Sequence, residues 1–548
     1  MKTSKQQSDV LVIGAGAGGM SVAYWLALQG VDVEVVEFGS LPDPKSEFLT
    51  DLWPDSLLLR GLDKGGMEYY CPTHFVEPYN ASYKIGKEVG NSWLKRTRVV
   101  GGKTLYWTAH SPRFSDYEFK AETVTGRGQD WPISYKDIAY YYTKAEKIMG
   151  VCGTKEGLEQ QPDGEFLPAF ELRKGEKILQ KVLGSSGIRL IPARKAILTK
   201  PLGAGTTRAI CHQCGRCYLG CKTSAKFDAF TGFYKQSGGK IRLRSNSVVT
   251  EIVSDRDSRK VIGLKCLDRV TKEESLLKAR VIVVAASAIE SARILLNSLS
   301  LDRSKGLANS SDCVGRYLAE STGVSIEGLL PELKGTQVDN EDGSGEHGLI
   351  PRFLNLKKQQ DFAGGFLYVT QSGAEIFPSF AARLPGFGEE LKQSIKAWFP
   401  AAIRLYGIAP IESCKENRIM LDSSKSDDWG IPVVKVQFSL SQQDRKLWQA
   451  MHDYGLEFLN DANCDQIATD TSEPLTGGGL HACGTCRMGK DPKNSVVNSF
   501  GQTHDIRNLF VADASVFVCS LNQPTLTLIA LALRTADFIT EGLRYGDF

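Results

Sequence analysis

The first fifty residues alternate short apolar runs with one stretch of helical spacing. Asp9 to Ile13 is apolar and rich in β-branched side chains, which predicts a strand buried on both faces. Val31 to Val36 predicts a second strand, with Glu37 at its end. Between the strands, apolar residues recur on one helix face until Gly30; they are Met20, Ala23, Tyr24, Leu26 and Ala27. The pattern predicts a βαβ unit.

A glycine-rich turn joins the first strand to this helix. Gly14, Gly16 and Gly19 have the spacing G-x-G-x-x-G, which lets the backbone turn tightly and approach a pyrophosphate at the positive end of the helix. Glu37 follows Gly19 by eighteen positions, where a carboxylate can accept hydrogen bonds from ribose hydroxyls. The unit therefore predicts a dinucleotide site, and the motif alone leaves FAD and NAD both open.

Composition and charge are those of an ordinary globular protein with two or three domains. Of the 548 residues, 42% are hydrophobic and 24% charged, and the net charge is +3, so neither nucleic acid nor an acidic membrane surface is expected as a partner. Apolar runs are shorter than the roughly eighteen residues of a membrane span. The N-terminal stretch MKTSKQQSDVLVIGAG carries no export signal, so we expect a cytoplasmic protein.

Four of the thirteen cysteines stand within the stretch CHQCGRCYLGC. Cys211, Cys214, Cys217 and Cys221 have the spacing C-x2-C-x2-C-x3-C, which resembles the bacterial ferredoxin run, although Lys222 replaces the usual proline. Structural zinc sites usually gather ligands from two separated pairs, so zinc fits less well. The spacing leaves an iron–sulfur site and a metal-free thiol loop both open.

Three distant segments carry the frames of a known enzyme family. They are RVVGGKTLYWT (98–108), ASAIESARILL (286–296) and, within 481–532, the frames HACGTCRMG, NLFVADAS and PTLTLIALA. Together they resemble the glucose–methanol–choline (GMC) oxidoreductases, FAD enzymes that oxidise alcohols. Within that family they look most like the pyranose oxidases and the bacterial glycoside 3-dehydrogenases.

The resemblance implies bound FAD and assigns residues to it. The implied cofactor-binding residues are Gly14, Gly16, Gly19, Glu37, Arg98, Gly101, Gly102, Tyr106, Trp107, Val248 and Asp513. Gly101 and Gly102 fall on the loop that passes the isoalloxazine, and Asp513 on the acid near the ribityl–pyrophosphate. Pyranose oxidases carry a histidine that bonds covalently to the flavin where Tyr106 stands here, so we expect non-covalent FAD.

His481 opens the family's catalytic frame and is our candidate for the base. Oxidation of an alcohol by a flavin removes the hydroxyl proton while hydride leaves carbon, and imidazole suits that proton transfer. The family's second active-site residue falls just before the Pro-Thr-Leu-Thr segment, where Asn522 and Gln523 both qualify. Neighbours in extended backbone point opposite ways. We prefer Asn522 for its shorter reach and because asparagine is a residue type that the family uses there. We expect His110 and His504 to be surface or supporting residues.

Later hydrophobic patterns predict two kinds of sheet. Val248 to Glu251, Val261 to Leu267 and Ala279 to Ala286 predict strands of the cofactor sheet. FAGGFLYVTQSG, FPAAIRLYGIAPI and IPVVKVQFSLS predict strands of an antiparallel substrate sheet, QQDRKLWQAMHDYGLEFLNDA a helix, and the polar stretch 337–348 an exposed loop. The fold class is therefore α+β. A discontinuous Rossmann-like FAD-binding domain (1–321 and 474–548, including the cysteine-rich loop 211–221) joins a substrate-binding domain (322–473).

The resemblance also implies a reaction and partners. It implies oxidation of a secondary ring hydroxyl of a sugar or glycoside, at C3 of a pyranoside, to a keto-sugar. Polyols, aldonates, primary alcohols and sterols stay open as substrates, as does a non-catalytic flavin electron-transfer protein. Some dehydrogenases of this branch hold an iron–sulfur cluster in a cysteine-rich insertion, which makes a [3Fe-4S] or [4Fe-4S] cluster the expected occupant of loop 211–221. Family dehydrogenases often pair with a small exported subunit and pass electrons to a quinone or cytochrome, so the periplasm is the alternative location.

Overall fold

The computed structural model describes residues 7–48, 76–77, 83–85, 96–126, 128–203, 205–215, 217–255, 260–298, 305–338, 346–352, 365–372, 377–469, 474, 481–520 and 522–548. Its α-helices there are α1 Ala17–Leu28, α2 Pro44–Glu47, α3 Asp116–Phe119, α4 Ala121–Thr125, α5 Tyr135–Met149, α6 Lys174–Ser185, α7 Ala288–Asn297, α8 Phe377–Arg383, α9 Gly388–Trp398, α10 Gln442–Asp461 and α11 Thr525–Tyr545. Its strands there are β1 Ser8–Ile13, β2 Val33–Val36, β3 Val76–Glu77, β4 Tyr83–Ile85, β5 Arg96–Thr97, β6 Ile191–Pro192, β7 Arg242–Arg244, β8 Ser247–Ser254, β9 Val261–Asp268, β10 Glu274–Val284, β11 Ser321–Leu329, β12 Glu346–Ile350, β13 Leu367–Gln371, β14 Ala402–Pro410, β15 Arg418–Ser426, β16 Pro432–Gln437, β17 Asp465–Thr469 and β18 Leu509–Val511.

Strands β7, β2, β1, β10 and β18 pair in that order as a parallel sheet. At its centre Val12 lies between Val35 and Val283 in register, and all three side chains are fully buried. A strand covered on both faces needs apolar side chains on both, which explains why these segments are continuous apolar runs. The predicted βαβ unit is confirmed as β1, α1 and β2.

Strand β10 takes part in two kinds of pairing. Its residues 279–284 pair parallel with β1, whereas its residues 274–278 pair antiparallel with β9, which in turn pairs antiparallel with β8. Each of the three strands predicted between 248 and 286 is therefore present. The long strand connects the buried parallel sheet to a more exposed antiparallel one.

An all-antiparallel sheet follows the order β17–β11–β14–β13–β12–β6. Alternate side chains of a strand point to opposite faces, so one face of β11 and β14 carries Ile326 and Leu405, which pack with Trp448 and Met451 of α10. The other face carries Ser321, whose hydroxyl lies 2.7 Å from Nδ1 of His481. The predicted antiparallel sheet and its helix are present.

Two sequence predictions are wrong. The stretch IPVVKVQFSLS forms β16, which pairs with β15 and, in parallel, with β4 in a separate three-stranded sheet. In the polar stretch 337–348, residues 346–348 begin β12, and His347 and Gly348 are buried; residues 339–345 lie outside the described residues. The reason is that both polar side chains contact residues distant in sequence. Glu346 contacts His110, and His347 contacts Glu176.

The predicted domain division stays a prediction. Strand β6, at residues 191–192, belongs to the antiparallel sheet although it lies outside the range 322–473 predicted for the substrate-binding domain. Within the described part of the chain, no helix is long and apolar enough to cross a membrane.

Candidate active site

The glycine loop between β1 and α1 has one open side. Gly14 has φ +99°, and a Cβ there would stand 2.4 Å from the carbonyl oxygen of Ala285. A Cβ on Gly19 would stand 2.0 Å from the carbonyl oxygen of Gly14. A Cβ on Gly16 would meet nothing within 4 Å. Packing therefore requires two of the glycines, while Gly16 keeps the N-terminus of α1 open to a pyrophosphate.

Glu37 is fixed by the same loop. Its Oε2 accepts a hydrogen bond from the backbone N–H of Ala15 at 2.8 Å, and its Oε1 accepts one from Gly39 at 2.8 Å. Burial raises the pKa of Glu37, and these bonds and the charge of Arg98 oppose the rise. Arg98 stacks on Phe38, with its Cζ 3.6 Å from the ring centroid. Each oxygen of Glu37 keeps acceptor capacity for a ribose hydroxyl.

Gly101 and Gly102 lie directly against the glycine loop. Gly101 donates its backbone N–H to the carbonyl oxygen of Ala15 at 2.9 Å. A Cβ on Gly102 would stand 3.3 Å from the Cα of Gly16. The structure therefore brings together the two loops that the sequence assigns to the cofactor.

Hydrogen bonds with Thr97 and Lys226 fix the turn formed by residues 105–107. The hydroxyl of Tyr106 forms a hydrogen bond with Oγ1 of Thr97. The ammonium of Lys226 donates to the carbonyl oxygens of Leu105 at 2.8 Å and Trp107 at 3.0 Å. A phenol stands where pyranose oxidases have their flavin-bonded histidine, so the prediction of non-covalent FAD stays open to test.

Asp513 lies just after β18 and is buried. Its carboxylate accepts hydrogen bonds from the backbone N–H groups of Ser287 and Ser515, each at 2.9 Å, and from the hydroxyls of Ser515 and Ser291. Asp513 thereby ties β18 to the start of α7, and its contact with a ribityl chain stays a prediction. Val248 is buried within β8.

His481 is held at its side chain and at its backbone. Its Nδ1 lies 2.7 Å from Oγ of Ser321, the first residue of β11. Its backbone N–H donates to Oε1 of Glu320 at 2.5 Å. Two residues further, Cys483 and Ala319 exchange both backbone hydrogen bonds, at 2.9 and 3.0 Å. The imidazole is therefore positioned by the segment that leads into the antiparallel sheet.

His481 is neutral at physiological pH. Burial and, to a smaller extent, the charges of Lys103 and His110 together lower its pKa to about 4, against the opposing charge of Glu346. A neutral imidazole has one N–H and one nitrogen with a lone pair. The hydroxyl of Ser321 can pair with Nδ1 in either tautomer; when Nδ1 carries the hydrogen and donates it to Ser321, Nε2 has the lone pair and can accept a proton.

Asn522 and Gln523 differ in how they are held. Asn522 is 1% exposed, and its Nδ2 donates to the carbonyl oxygens of Ile408 at 3.1 Å and Gly365 at 3.2 Å. Gln523 has φ +62°, a left-handed conformation. Among the described residues, neither Asn522 Oδ1 nor Gln523 Oε1 has a hydrogen-bond partner. Both amides therefore offer an unused acceptor.

His110 is buried rather than on the surface, with 3% exposure. Its Nε2 lies 2.8 Å from Oε2 of Glu346, and burial lowers its pKa. Burial alone would raise the pKa of Glu346, but the bond to His110 and the charge of Lys195 lower it to about 2. Because His110 and Glu346 both act on the pKa of His481, this hydrogen-bonded pair belongs to the surroundings of the base.

Sequence reasoning missed four residues around His481: Ser321, Glu320, Lys103 and Glu346. Only Lys103 carries a signal, since it stands inside the frame RVVGGKTLYWT. The other three act through contacts that join distant parts of the chain.

The four cysteines of loop 211–221 do not share one environment. Cys217 and Cys221 are buried, and Cys211 and Cys214 are partly exposed. Burial raises the pKa of Cys211 to about 12, so this thiol stays protonated. The backbone N–H of Lys226 donates to the sulfur of Cys221 at 3.4 Å. Across the described ranges, no three or more His, Cys, Asp or Glu side chains are grouped to hold a metal ion, and the iron–sulfur cluster therefore stays a prediction.

Comparison with known proteins places these features in one family. Two family models described as GMC oxidoreductase match the chain, one over residues 204–320 and the other over residues 414–532. The first match runs from the cysteine-rich loop to Glu320, and the second contains His481 and Asp513.

Several relatives are similar along the chain. A 2-methyl-1,2-propanediol dehydrogenase of Mycolicibacterium austroafricanum is 28% identical, with 100% of this chain and 97% of that protein aligned. A fructose dehydrogenase large subunit of Gluconobacter japonicus is 25% identical, with 100% of both chains aligned. A C-glycoside 3-oxidase of Arthrobacter globiformis is 24% identical over 58% of this chain and 56% of its own length.

The fold has a solved counterpart. Pyridoxine 4-oxidase from Mesorbium loti superposes with a TM-score of 0.65 at 16% identity, covering 98% of this chain and 99% of that one. The two family models and the full-length relatives confirm the predicted resemblance, and the chain belongs to the GMC oxidoreductases.

Proposed function

We propose that this GMC oxidoreductase oxidises a secondary ring hydroxyl of a sugar or glycoside, at C3 of a pyranoside, to a keto-sugar. The observation that carries the proposal is the state of His481. Its ring is neutral, is held at Nδ1 by Ser321 and lies within the electrostatic reach of Lys103, which stands on the loop assigned to the flavin.

The residues present fit FAD. The open side of Gly16 leaves room for a pyrophosphate, Glu37 retains acceptors for a ribose, and the Gly101–Gly102 turn packs against the glycine loop. When bound, FAD supplies a hydride acceptor. Tyr106 cannot form the histidyl bond of pyranose oxidases, which supports non-covalent binding.

His481 receives the hydroxyl proton at Nε2. A base with a pKa of about 4 is a weak proton acceptor for an alcohol. The hydroxyl becomes strongly acidic only as hydride leaves its carbon, so proton transfer to Nε2 accompanies that departure. Lys103 lowers the basicity of His481 and so keeps the ring unprotonated before the transfer. Ser321 can accept the Nδ1 hydrogen before and after Nε2 takes the proton.

Sequence similarity supports the substrate class. The frame RVVGG-x4-WT resembles pyranose oxidases and glycoside 3-dehydrogenases, and one relative is named a C-glycoside 3-oxidase. A relative named for 2-methyl-1,2-propanediol favours a second candidate, oxidation of a small diol or polyol. A non-catalytic flavin electron-transfer protein is the remaining alternative.

Anaerobic flavin reduction tests these alternatives. Holoprotein with full FAD occupancy should bleach on addition of methyl glucopyranosides, and NMR of the product should place the ketone at C3. His481→Asn should retain FAD and lose about 10²- to 10⁴-fold in reduction rate, the usual contribution of a general base. A ketone elsewhere on the ring would reject C3, and the absence of bleaching with a broad alcohol panel would reject the enzyme.

The iron–sulfur cluster is a separate proposal for loop 211–221. Its support is the spacing of the four cysteines and two buried lysines, Lys195 and Lys226, whose charges act on the thiol of Cys217 and would offset thiolate charge. The cysteine side chains would have to regroup around the cluster. Iron and acid-labile sulfide well below one cluster per chain in anaerobically purified protein would reject the proposal.

The partners are proposed by analogy. The relative from Gluconobacter japonicus is named a large subunit, which supports a small subunit for this chain as well. Electrons would then pass to a quinone or cytochrome, and a small subunit with an export signal would carry the complex to the periplasm. Co-expression with candidate small subunits, followed by co-purification, tests this arrangement.

A further inference from the structure

The orientation of the Asn522 amide is fixed by two backbone carbonyls. Its Nδ2 donates to Ile408 at 3.1 Å and to Gly365 at 3.2 Å. An amide nitrogen has two hydrogens, so both are used. Exchanging oxygen and nitrogen would set an oxygen against two carbonyl oxygens, which the hydrogen bonds exclude. Asn522 therefore has no donor left and offers only its Oδ1.

That remaining oxygen is buried without a protein donor. Asn522 is 1% exposed, and no described residue donates to Oδ1. Leaving a buried acceptor unpaired is unfavourable, and native structures pair nearly all such atoms with protein, water or ligand. A ligand that brings a hydrogen-bond donor to Oδ1 would remove this penalty.

Asn522 and His481 dock on the same corner of the antiparallel sheet. His481 attaches to Ser321 of β11, and Asn522 attaches to the carbonyl of Ile408 of β14. Gly323, two residues after Ser321, is paired with Ile408, so Ser321 and Ile408 are diagonal neighbours. Diagonal neighbours across antiparallel strands lie roughly 7–8 Å apart. The two functional side chains are therefore anchored one step apart on adjacent strands.

At this corner of the sheet, both functional side chains present a hydrogen-bond acceptor to the substrate. In the proposed function Nε2 of His481 accepts the hydroxyl proton, and the unpaired Oδ1 of Asn522 is a second acceptor. A simple alcohol brings one O–H hydrogen and satisfies one of them. We infer that the substrate must bring a second hydroxyl beside the reacting one, so that the first donates to Nε2 of His481 and its neighbour donates to Oδ1 of Asn522. The inference rests on the proposed function and narrows it to vicinal diols, sugars among them.

Substrate analogues test the inference in the unmodified holoenzyme. Methyl β-D-glucopyranoside is compared with its 2-deoxy, 2-deoxy-2-fluoro, 4-deoxy and 4-deoxy-4-fluoro analogues by anaerobic flavin reduction, as the reduction rate divided by the dissociation constant. At one of the two positions, both the deoxy and the fluoro analogue should lose about 5- to 100-fold, the range for one unpaired buried acceptor. Fluorine withdraws electrons and slows hydride loss, whereas the deoxy analogue does not. A slow fluoro analogue beside a fast deoxy analogue would therefore overturn the inference.

A variant assigns the effect to Asn522. Asn522→Ala should retain FAD and reduce the glucoside-to-deoxy selectivity at least fivefold, whereas Ser325→Ala, at a buried polar residue of β11 outside the proposed contacts, should keep the selectivity of the parent. Collapse of selectivity in Gln523→Ala alone would overturn the assignment. If Asn522→Ala does not fold, the analogue series still decides, because it needs no variant.

The outcomes separate this inference from the proposed function. If no alcohol reduces the flavin, the proposed function fails. If the flavin is reduced as readily by the deoxy analogues as by the glucoside, the proposed function stands and the requirement for a second donor is overturned. That second result would also follow if Oδ1 accepted a hydrogen bond from the flavin itself.

Discussion

Replacing Ser321 with alanine removes the hydroxyl that lies 2.7 Å from Nδ1 of His481. The substitution leaves the backbone hydrogen bond intact, because Glu320 still accepts the backbone N–H of His481. The imidazole therefore stays in the site but loses the partner that orients its ring. It also loses the oxygen that accepts the Nδ1 hydrogen once Nε2 has taken the substrate proton.

The expected loss follows from two terms. A neutral hydrogen bond contributes about 0.5–1.5 kcal/mol, which equals about 2- to 13-fold in rate at about 1.36 kcal/mol per tenfold. Looser orientation of the imidazole adds to this loss, so we expect the limiting rate of flavin reduction in Ser321→Ala to fall about 10- to 30-fold. The substrate dissociation constant should change less, because Ser321 contacts the base and not the substrate.

Anaerobic stopped-flow reduction across pH 5 to 9 measures both constants. Ser325→Ala is the matched control, since Ser325 lies on the same face of β11, is 6% exposed and pairs with Tyr406. The control should match the parent within about twofold, and Ser321→Thr, which restores the hydroxyl, should recover most of the rate. A Ser321→Ala protein with full FAD that reduces within twofold of the parent would refute the role of this hydrogen bond.

Three further predictions concern ionisable groups. Because the pKa of His481 is about 4, neutral base predominates above it, so the reduction rate should stay level from neutral pH to about pH 5 and fall below; a midpoint near the ordinary value of 6.5 would contradict this. Glu146→Gln breaks the paired contacts of 2.7 Å to Arg113 inside the protein and should lower the free energy of unfolding by about 3–5 kcal/mol in denaturant titrations, with a loss below 1 kcal/mol counting against it. Burial alone would raise the pKa of Glu176, but its contact with His347 lowers it to about 2, below the ordinary 4.5. The resulting stabilisation is present above pH 4.5 and lost toward pH 2, so the stability gap between the parent and Glu176→Gln should shrink over that range and should not widen.

The local hydrophobic pattern is enough to predict an element that can pack against any apolar neighbour. The run from Asp9 to Ile13 needs only any apolar neighbour on each face, and its strand is present in β1. The strand β12 was not predictable, because the polar side chains of Glu346 and His347 fit a strand there only through their contacts with His110 and Glu176. The placement of β16 in a third sheet depends likewise on β4, more than 340 residues earlier.

The candidate site likewise contains residues that a sequence motif identifies and residues that only the fold brings together. His481 stands in a recognisable frame, so its role could be predicted from sequence. Ser321 contacts it across 160 residues and belongs to no motif. The preference for Asn522 over Gln523 rested on residue type, whereas the structure shows that Ile408 and Gly365 use both amide hydrogens of Asn522. Sequence identified the amide, and only the fold shows that it is an acceptor.

The double pairing of β10 has a consequence for how the protein is made. The parallel sheet needs β1 from the first residues and β18 near the end on opposite edges of β10, and α1 is bound to α11 through Trp25 and Asp537, 512 residues apart at 2.6 Å. Such long-range pairing makes folding slow and leaves early strands without partners during synthesis. During synthesis β1 therefore lacks its second neighbouring strand until β10 is made, and Trp25 of α1 lacks its partner until α11 is made. Cofactor loading is expected to be a late, post-translational event, so C-terminal truncations should yield apoprotein prone to aggregation.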